Sequence, residues 1–391
     1  MLRRLLVPDK VAVTGCVTGL FSLAYGWLTL KPNRLVSGVS MPLWNSFGLI
    51  PAIIIIGLWV CCFGLSLKSK SKHNVIVLGI ILNLIVIQAF LFAGTFSSNI
   101  LRGLPVVSRV SLGTGIWLTC LGAYISIFAC RQKLTNSPVW QNLVSWPALA
   151  AIFTFFGSGL LNDISVVVEF RAQEAQFIHQ LWNHILLFAG SVALGTLIGI
   201  PLGIFAAHNR HVEKPVFFIV NIVQTIPSLA LFGLLIAPLS ALSFSFPLLR
   251  QWGISGIGTA PAIIALVLYS LLPVTRNTYV SLKQIDPAII DSGSGMGMTR
   301  SQIFKMIEAP LSAPLVLEGV RTASVQAVGN TAVAALIGAG GLGWFIFQGI
   351  SQASNDVVIL GAIPIVGLAL IVDAVMRGIV KVATPKGIGA A

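Results

Sequence analysis

The chain contains apolar runs as long as a lipid bilayer is thick, and these runs limit the folds open to it. The stretches "IPAIIIIGLWVCCFGLSL" (50–67) and "VIVLGIILNLIVIQAFLFAG" (75–94) approach the ~20 residues that a membrane-spanning helix needs. Hydrophobic residues make up 56% of the 391 residues and charged residues only 9%, whereas a soluble domain needs more charge to cover its surface. We therefore predict an all-α integral membrane protein with about ten transmembrane helices.

The predicted spans follow one another along the whole chain, with glycine and proline inside several of them. Membrane helices tolerate these residues where neighbouring helices satisfy the freed backbone groups. The first span follows "MLRRLLVPDK", a basic start that is also typical of a signal peptide, but the run lacks a clear cleavage site and we expect a retained helix. The spans are expected at about 11–30, 47–67, 75–96, 110–130, 146–162, 180–207, 215–240, 257–282, 313–337 and 357–380.

The charges are distributed as topology signals. The formal net charge is +13, but Lys and Arg lie in short loops between apolar runs, which argues against a nucleic-acid partner. If the N-terminus lies inside, the inner segments carry sixteen Lys and Arg residues and the outer segments six. The positive-inside rule then predicts that both termini are cytoplasmic. The five cysteines lie in or beside apolar runs without metal-ligand spacing, so we expect small buried side chains.

The character of the spans changes at 163–178, "DISVVVEFRAQEAQFI". The five predicted spans before it contain few polar residues, and the five after it are rich in Gly, Pro, Asn and Gln. We predict an N-terminal transmembrane extension over 1–162, an external connecting segment over 163–178, a transmembrane domain over 179–382 and a short cytoplasmic tail over 383–391.

A charged segment with several glycines interrupts the apolar pattern at 286–310, and we call it the elbow. Asp286 before a proline is a favourable helix N-cap, and Thr299 and Gln302 have the spacing of a capping box. Pro310 should end or bend the second helix, because proline cannot continue the hydrogen-bond ladder. Three glycines between the helices permit a tight reversal: Gly293, Gly295 and Gly297. We predict two short helices with a sharp joint on the cytoplasmic side.

The residues alone leave two interpretations of the elbow open. It is either an interfacial helix that lies on the lipid headgroups or a rigid knob that docks into a cytoplasmic partner. In its second half the apolar residues fall on one helical face and the charged residues mainly elsewhere: Ile303, Phe304, Ile307 and Leu311 against Arg300, Lys305 and Glu308.

Several elbow residues stand at the spacing of a known loop: Asp291-Ser292-Gly293, Gly297, Ile307 and Ala309-Pro310. Their pattern resembles E-A-A-x-x-x-G-x(9)-I-x-L-P of permease subunits of ABC importers, with Asp for Glu, Ser-Gly for Ala-Ala and Ala for Leu. The resemblance implies that the elbow is a coupling helix seated in an ATPase subunit. The implied coupling residues are Asp286, Asp291, Gly293, Gly297, Arg300, Ile303, Phe304, Ile307 and Pro310.

Five further stretches in the second half are similar to permeases for glycine betaine, choline, carnitine and related osmoprotectants. They are "GTLIGIPLGIFAAHN", "NIVQTIPSLALFGLL", "YSLLPVTRNTYVSLKQIDPAIIDSGSGMGMT", "GVRTASVQAVGNTAVAALIGAGGLG" and "ILGAIPIVGLALIVD". The resemblance covers about residues 176–381, and the long first half resembles Yeh-type osmoprotectant permeases. It implies that the last five spans form a type I ABC importer permease core that takes up glycine betaine or a related quaternary-ammonium osmoprotectant.

The resemblance also implies partners: two ATP-binding cassette subunits, an external or periplasmic substrate-binding protein, and a second permease subunit, with a heteromer favoured over a homodimer. It further implies that the chain is surrounded by membrane lipids of the cell inner membrane. No G-x-x-x-x-G-K-[ST] occurs, so we expect a transport subunit that is not an enzyme and binds no cofactor, with ATP and Mg on the partner ATPase. An ABC permease for another small solute, such as an amino acid, and an ion-coupled secondary transporter remain as alternatives.

Other motifs are weaker. "GAGGLG" at 338–343 satisfies G-x-G-x-x-G, but an apolar helix is expected before it where a dinucleotide site needs a strand, so we predict a glycine-rich re-entrant turn. Glu318 and Arg321 have the spacing of a helical ion pair. His208 and His211 lack further ligands nearby, and we expect a solvated turn and no metal site. Polar residues inside spans join helices or line a cavity, and the candidates for a translocation path are Gln224, Asn277 and Asn330.

Overall fold

The chain forms two compact units, Met1–Ala172 and Gln173–Ala391. The boundary falls inside the expected connecting segment 163–178, which holds one short helix and the first turn of the next. Most of the expected tail, 383–391, lies outside the described residues. The computed structural model describes residues 8–34, 36–69, 71–135 and 137–385.

The first unit is built mainly from helices, and α1 packs against α3 and α5. Close approach is possible because glycines lie at the crossing of α1 and α5, where a Cβ on Gly15 would lie 2.5 Å from the Gly122 carbonyl oxygen. Small residues allow membrane helices to pack this closely. The helices are α1 (Lys10–Phe21), α2 (Leu43–Phe47), α3 (Leu49–Ser66), α4 (Lys72–Leu101), α5 (Thr114–Lys133), α6 (Pro138–Ser145), α7 (Pro147–Gly157) and α8 (Ser165–Ala172).

An ion pair joins the start of α1 to the end of α5. Asp9 caps α1 by accepting hydrogen bonds from the amides of Val11 and Ala12, and its Oδ2 lies 2.8 Å from Lys133 Nζ. Partial burial works to raise the pKa of Asp9, but Lys133 and the two amides hold this pKa below its ordinary value. The carboxylate therefore serves as both helix cap and inter-helix contact.

The all-α class is confirmed, and one small antiparallel sheet lies within the first unit. β1 (Leu28–Lys31) lies between β2 (Val39–Met41) and β3 (Arg109–Leu112). The first span, predicted to continue to residue 30, therefore ends early, since α1 stops at Phe21 and the chain extends to pair with distant strands. Strands this short carry no readable alternation, so the sequence gives little sign of them.

The second unit surrounds a central helix, α13, which packs against α9 and α16. Its helices are α9 (Glu174–His208), α10 (Arg210–Thr225), α11 (Ser228–Ser245), α12 (Pro247–Gln251), α13 (Thr259–Lys283), α14 (Pro287–Gly295), α15 (Arg300–Ile303), α16 (Ala309–Ala334), α17 (Gly343–Ser351) and α18 (Asn355–Ala383).

A stripe of glycines on α9 sets its contact with α13. The glycines recur at every fourth position, so they lie on one helical face. A Cβ on any of them would clash with a side chain on the matching stripe of α13, at distances of 2.6, 2.9 and 2.6 Å. The contacts are Gly195 with Ser270, Gly199 with Val274 and Gly203 with Thr278.

Within the described residues, seven helices are long and apolar enough to cross a membrane, or eight if the bent pair α6 and α7 counts as one span. The seven are α3, α4, α5, α9, α11, α13 and α18. The predicted count of about ten is therefore not confirmed. The expected span 146–162 belongs to the bent pair, whose axes differ by 44°.

Two predicted spans of the second unit differ for identifiable reasons. The span expected at 215–240 is divided into α10 and α11, because the chain is extended at Ile226 and Pro227. The span expected at 313–337 corresponds to α16, whose polar residues, Glu318 and Arg321 among them, lower its mean hydropathy.

The glycine-rich turn predicted at 338–343 is confirmed. Helix α16 precedes it where a dinucleotide site requires a strand. Two side chains of α9 hold the turn: Gln180 Oε1 accepts from the Gly341 amide at 2.6 Å, and His184 Nδ1 accepts from the Leu342 amide at 3.2 Å. Within this turn, the residues with positive φ are Gly338 (79°), Gly340 (79°) and Gly341 (89°).

Candidate functional site

The first helix of the elbow begins as its sequence predicts. Asp286 is the N-cap of α14, and its side chain accepts a hydrogen bond from the Ala288 amide at 2.9 Å. Proline follows at the first helical position, where it needs no hydrogen-bond partner. Asp291 lies on the exposed surface of this helix, so its carboxylate is open to a partner.

A left-handed glycine forms the joint of the elbow. Gly297 has φ of +82°. The Met298 amide donates to the Gly293 carbonyl at 3.1 Å, and the Gly297 amide donates to the Ser294 carbonyl at 3.0 Å. This pair of bonds is the Schellman arrangement that ends helices at a glycine. The joint is therefore a defined turn with its carbonyl groups satisfied.

Gly293 is the point at which the two halves of the elbow touch. It is buried, and a Cβ there would lie 2.9 Å from Ile307 Cδ1, 3.4 Å from Met298 Sδ and 3.6 Å from Ile303 Cγ1. Ile303 is itself only 6% exposed. The apolar face predicted for the second half therefore packs inward on the first half.

The second half begins with the predicted capping box. The Thr299 amide donates to Gln302 Oε1 at 2.7 Å, and the Gln302 amide donates to Thr299 Oγ1 at 3.4 Å. Each of these two residues thus provides the hydrogen-bond acceptor for the backbone amide of the other. The capping box starts α15, which includes Arg300 on its exposed surface.

Pro310 does not end the second helix, which corrects the prediction of two short helices. The chain passes from α15 through a π turn, Phe304–Glu308, directly into α16, with Pro310 in the first turn of α16. In the π turn the Ala309 amide donates to the Phe304 carbonyl. This wider turn accommodates the proline, which lacks an amide hydrogen. The second half of the elbow is thus the first part of a long helical segment that continues through α16.

The outer surface of the elbow combines charge with flexible apolar side chains. Met296 and Met306 are 76% and 67% exposed, and Asp291, Arg300 and Lys305 are exposed as well. Methionine adapts its shape to a partner surface. The elbow therefore offers a face suited to docking as well as a packed interior.

A side-chain contact ties the elbow to α9. Glu308, in the π turn, places Oε2 3.2 Å from Nε2 of His208, the last residue of α9. His208 Nδ1 lies 3.0 Å from the Ile204 carbonyl oxygen. Both of these oxygen atoms can accept hydrogen bonds, so the His208 ring connects Glu308 to the last turn of α9.

The predicted pair Glu318 and Arg321 is confirmed and belongs to a larger group. Arg321 Nη1 lies 2.9 Å from Glu318 Oε2, and Arg321 Nε lies 2.7 Å from Asp373 Oδ1 on α18. Asp373 Oδ2 lies in turn 2.8 Å from Arg377 Nη2. This charged group joins α16 to α18, and charges inside a membrane protein are stabilised by such pairing.

The three path candidates occupy separate contacts. Gln224 Nε2 donates to the Tyr269 carbonyl at 2.5 Å. The Asn277 side chain packs against Gly319, where an added Cβ would lie 2.8 Å from Asn277 Cβ. Asn330 is half-buried on α16. Among the residues that the structure describes, no hydrogen bond joins these three to one another.

Sequence reasoning missed two contacts of the site. Glu308 with His208 and Arg321 with Asp373 join residues 100 and 52 positions apart, and no local pattern marks such pairs. In the described part of the chain, no group of three or more His, Cys, Asp or Glu residues is placed to hold a metal ion.

Comparison with known families divides the chain in two. Residues 199–382 match the family described as "Binding-protein-dependent transport system inner membrane component". Residues 9–167 match "ABC transporter permease YehY, N-terminal domain". Each match lies inside one of the two compact units.

Individual relatives match slightly more than half of the chain. The choline transport system permease protein OpuBB of Bacillus subtilis is 35% identical over 222 residues, which are 56% of this chain and 95% of the relative. The osmoprotectant import permease protein OsmW of Salmonella typhimurium is 38% identical over 222 residues, 56% of this chain and 98% of the relative. A chain of the MetNI methionine ABC transporter, solved in inward-facing conformations, is 23% identical, with a TM-score of 0.48 over 55% of this chain and 99% of that chain. Because this chain covers almost the whole length of relatives at this identity, it belongs to the family of binding-protein-dependent transport permeases, the membrane subunits of ABC importers.

Proposed function

We propose that this chain takes up glycine betaine or a related quaternary-ammonium osmoprotectant as the permease subunit of an ATP-driven importer. The support comes from relatives that are named for choline, for carnitine, and for glycine betaine, carnitine and choline transport. In this proposal the second unit is a type I permease core that forms the transport path.

The elbow is the proposed coupling element, and its geometry is the observation that carries this role. It has a fixed joint, a packed interior and an exposed face of charge and methionine. Its second half continues through the π turn into α16, and Glu308 ties it to α9. When an ATPase subunit moves the elbow, α16 and α9 move with it, which is a rigid-body form of allostery.

The proposal places the elbow and both termini on the cytoplasmic side of the inner membrane. Two ATPase subunits bind the ATP and Mg that this chain does not bind. A substrate-binding protein delivers the solute from outside. A second permease subunit completes the path, and a heteromer is favoured over a homodimer. Gln224, Asn277 and Asn330 remain proposed path residues.

A photo-crosslinking pair tests the coupling role. A photoreactive amino acid replaces Met306 on the elbow, and a control replaces Leu336, an exposed residue just beyond the other end of α16 that is 47% accessible. We expect a chain with a Walker A sequence to be captured from position 306 and not from 336. Capture of that chain equally from both positions, or from neither, would contradict the role.

Uptake by the assembled importer tests the substrate. Proteoliposomes that contain the native complex are supplied with ATP inside and the binding protein with labelled solute outside. We expect ATP-dependent accumulation of glycine betaine. Accumulation of an amino acid in its place would support the alternative ABC permease, and accumulation driven by an ion gradient without ATP would support a secondary transporter.

A further inference from the structure

A cavity of about 300 Å³ opens between α10 and α13 in the second unit. Its volume lies at the lower end of the range for small-molecule sites, about 300–1,000 Å³, so it suits a ligand with few heavy atoms. Both helices contribute polar and aromatic side chains to it. The lining residues are Glu213, Phe217, Asn221, Arg276, Tyr279 and Val280.

One part of the cavity has the chemistry of a cation site. The rings of Phe217 and Tyr279 meet edge to face, with centroids 5.0 Å apart and planes at 78°. The ammonium of Lys283 lies 5.8 Å from the Tyr279 centroid, so this ring already accepts a cation. The Glu213 carboxylate lies beside the Tyr279 hydroxyl. Aromatic faces next to a carboxylate attract a quaternary ammonium group.

The other part of the cavity has the chemistry of an anion site. Arg276 lines it with an exposed guanidinium group, which can hold a carboxylate by two parallel hydrogen bonds. Arg210 and Lys283 add positive charge around Tyr279. Among the described residues that line the cavity or act on Tyr279, three cations face one carboxylate. A purely cationic ligand is therefore disfavoured, whereas a ligand that carries both charges satisfies both parts.

We propose that this cavity binds a small zwitterion with a quaternary ammonium group at one end and a carboxylate at the other. The ammonium group lies against Phe217, Tyr279 and Glu213, and the carboxylate binds Arg276. The proposal rests on the proposed function and deepens it: the permease itself contains a site for its solute, and that site prefers a betaine to choline.

Equilibrium binding of labelled glycine betaine to the full-length chain in lipid nanodiscs tests the site. Phe217→Leu and Arg276→Gln are each expected to weaken binding roughly 5- to 30-fold, the loss of one cation–π or charge-assisted contact. Arg276→Lys should restore part of the loss. Phe218→Leu is the matched control, because Phe218 is the next residue, is 67% exposed and does not line the cavity. Equal weakening by both phenylalanine variants, or no binding to the wild-type chain, would overturn the proposal.

Competition separates the possible ligand chemistries. Choline should displace labelled glycine betaine at least about tenfold less effectively than unlabelled glycine betaine does, a difference of about 1.4 kcal/mol. Equal displacement would overturn the preference for a zwitterion. A lipid headgroup with phosphocholine shares much of this chemistry, so nanodiscs free of choline lipids are used and glycerophosphocholine is the second competitor. Displacement by glycerophosphocholine that exceeds displacement by glycine betaine itself would identify a lipid site and overturn the proposal.

Uptake by the native importer separates this inference from the proposed function. If the importer accumulates glycine betaine while the chain alone binds none, the cavity proposal fails and the proposed function stands. If the importer accumulates no quaternary-ammonium solute, the proposed function fails. Accumulation by the importer together with selective loss of binding in Phe217→Leu supports both.

Discussion

At the scale of single residues, two neighbouring glycines in the elbow have different reasons to be glycine. Gly297 has φ of +82°, whereas Gly295 ends α14 with ordinary helical geometry. A Cβ at either position would meet no atom within 4 Å. Any difference between alanine substitutions at the two sites therefore reports backbone conformation alone.

Gly297→Ala is expected to destabilise the joint by about 1–2 kcal/mol, because a side chain disfavours the left-handed conformation. Gly295→Ala should leave it unchanged or stabilise α14 by up to about 1 kcal/mol. Hydrogen exchange of the amides in 287–300, measured on the full-length chain, checks both, and uptake by the complex should fall only for Gly297→Ala. Similar exchange rates in the two variants would contradict the assigned role of the turn.

The contact of Glu308 with His208 is a second prediction at this scale. Glu308→Ala and His208→Ala should each weaken the link between the elbow and α9, and the double variant should be no worse than either single one. The expected coupling energy is about 1 kcal/mol, below the range of about 1.5–3 kcal/mol for hydrogen bonds to charged groups, because His208 is half exposed. Thermal unfolding of the detergent-solubilised chain measures it. Additive losses would mean that the two side chains act independently.

At the scale of elements, the close contact of α9 with α13 depends on glycines of α9, which have no side chain. Gly203→Ala would place a Cβ 2.6 Å from Thr278 Cβ and 2.7 Å from the Thr275 carbonyl oxygen. Backbone and a branched side chain cannot move away easily, so we expect a loss of about 1–3 kcal/mol from overpacking. Gly190→Ala on the same helix meets nothing within 4 Å and is the control. The melting temperature of the solubilised chain should fall for Gly203→Ala only.

The elements that could be predicted are those specified by nearby residues. The N-cap at Asp286 and the capping box at Thr299 follow from side chains within three positions of the groups they satisfy, and the structure confirms both. Long apolar runs likewise give α3, α4 and α13 near their expected places. Local chemistry and length are sufficient in these cases.

The elements that could not be predicted depend on distant partners. The strand β1 is only four residues long and is stabilised by pairing with β3, far along the chain. The prediction of a second helix that is short was wrong, because a π turn, which has no sequence signature of its own, accommodates the amide hydrogen that Pro310 lacks. The helix α16 combines a membrane-length segment with polar residues, of which Arg321 pairs with Asp373 on α18, so hydropathy alone understates it.

At the scale of the whole molecule, the two compact units contain the matches of two different families. The relatives are matched over 222 residues that make up 95% and 98% of their own length, so almost everything they contain has a counterpart in part of this chain. The permease family match, 199–382, lies wholly within the second unit, Gln173–Ala391. The first unit therefore lies outside the residues that the permease family match covers.

We expect residues 173–391, expressed with the native ATPase, binding protein and second permease, to sustain ATP-dependent uptake of glycine betaine within about tenfold of the full chain. The reason is that α13 with its partners α9 and α16, the elbow and the cavity at Phe217 all lie within this unit. Uptake measured at two external osmolarities separates transport from regulation. A truncated importer that transports equally at both, where the full chain responds, would assign osmotic control to the first unit. A truncated chain that folds, binds the ATPase and still transports nothing would show that the first unit is part of the transport machinery.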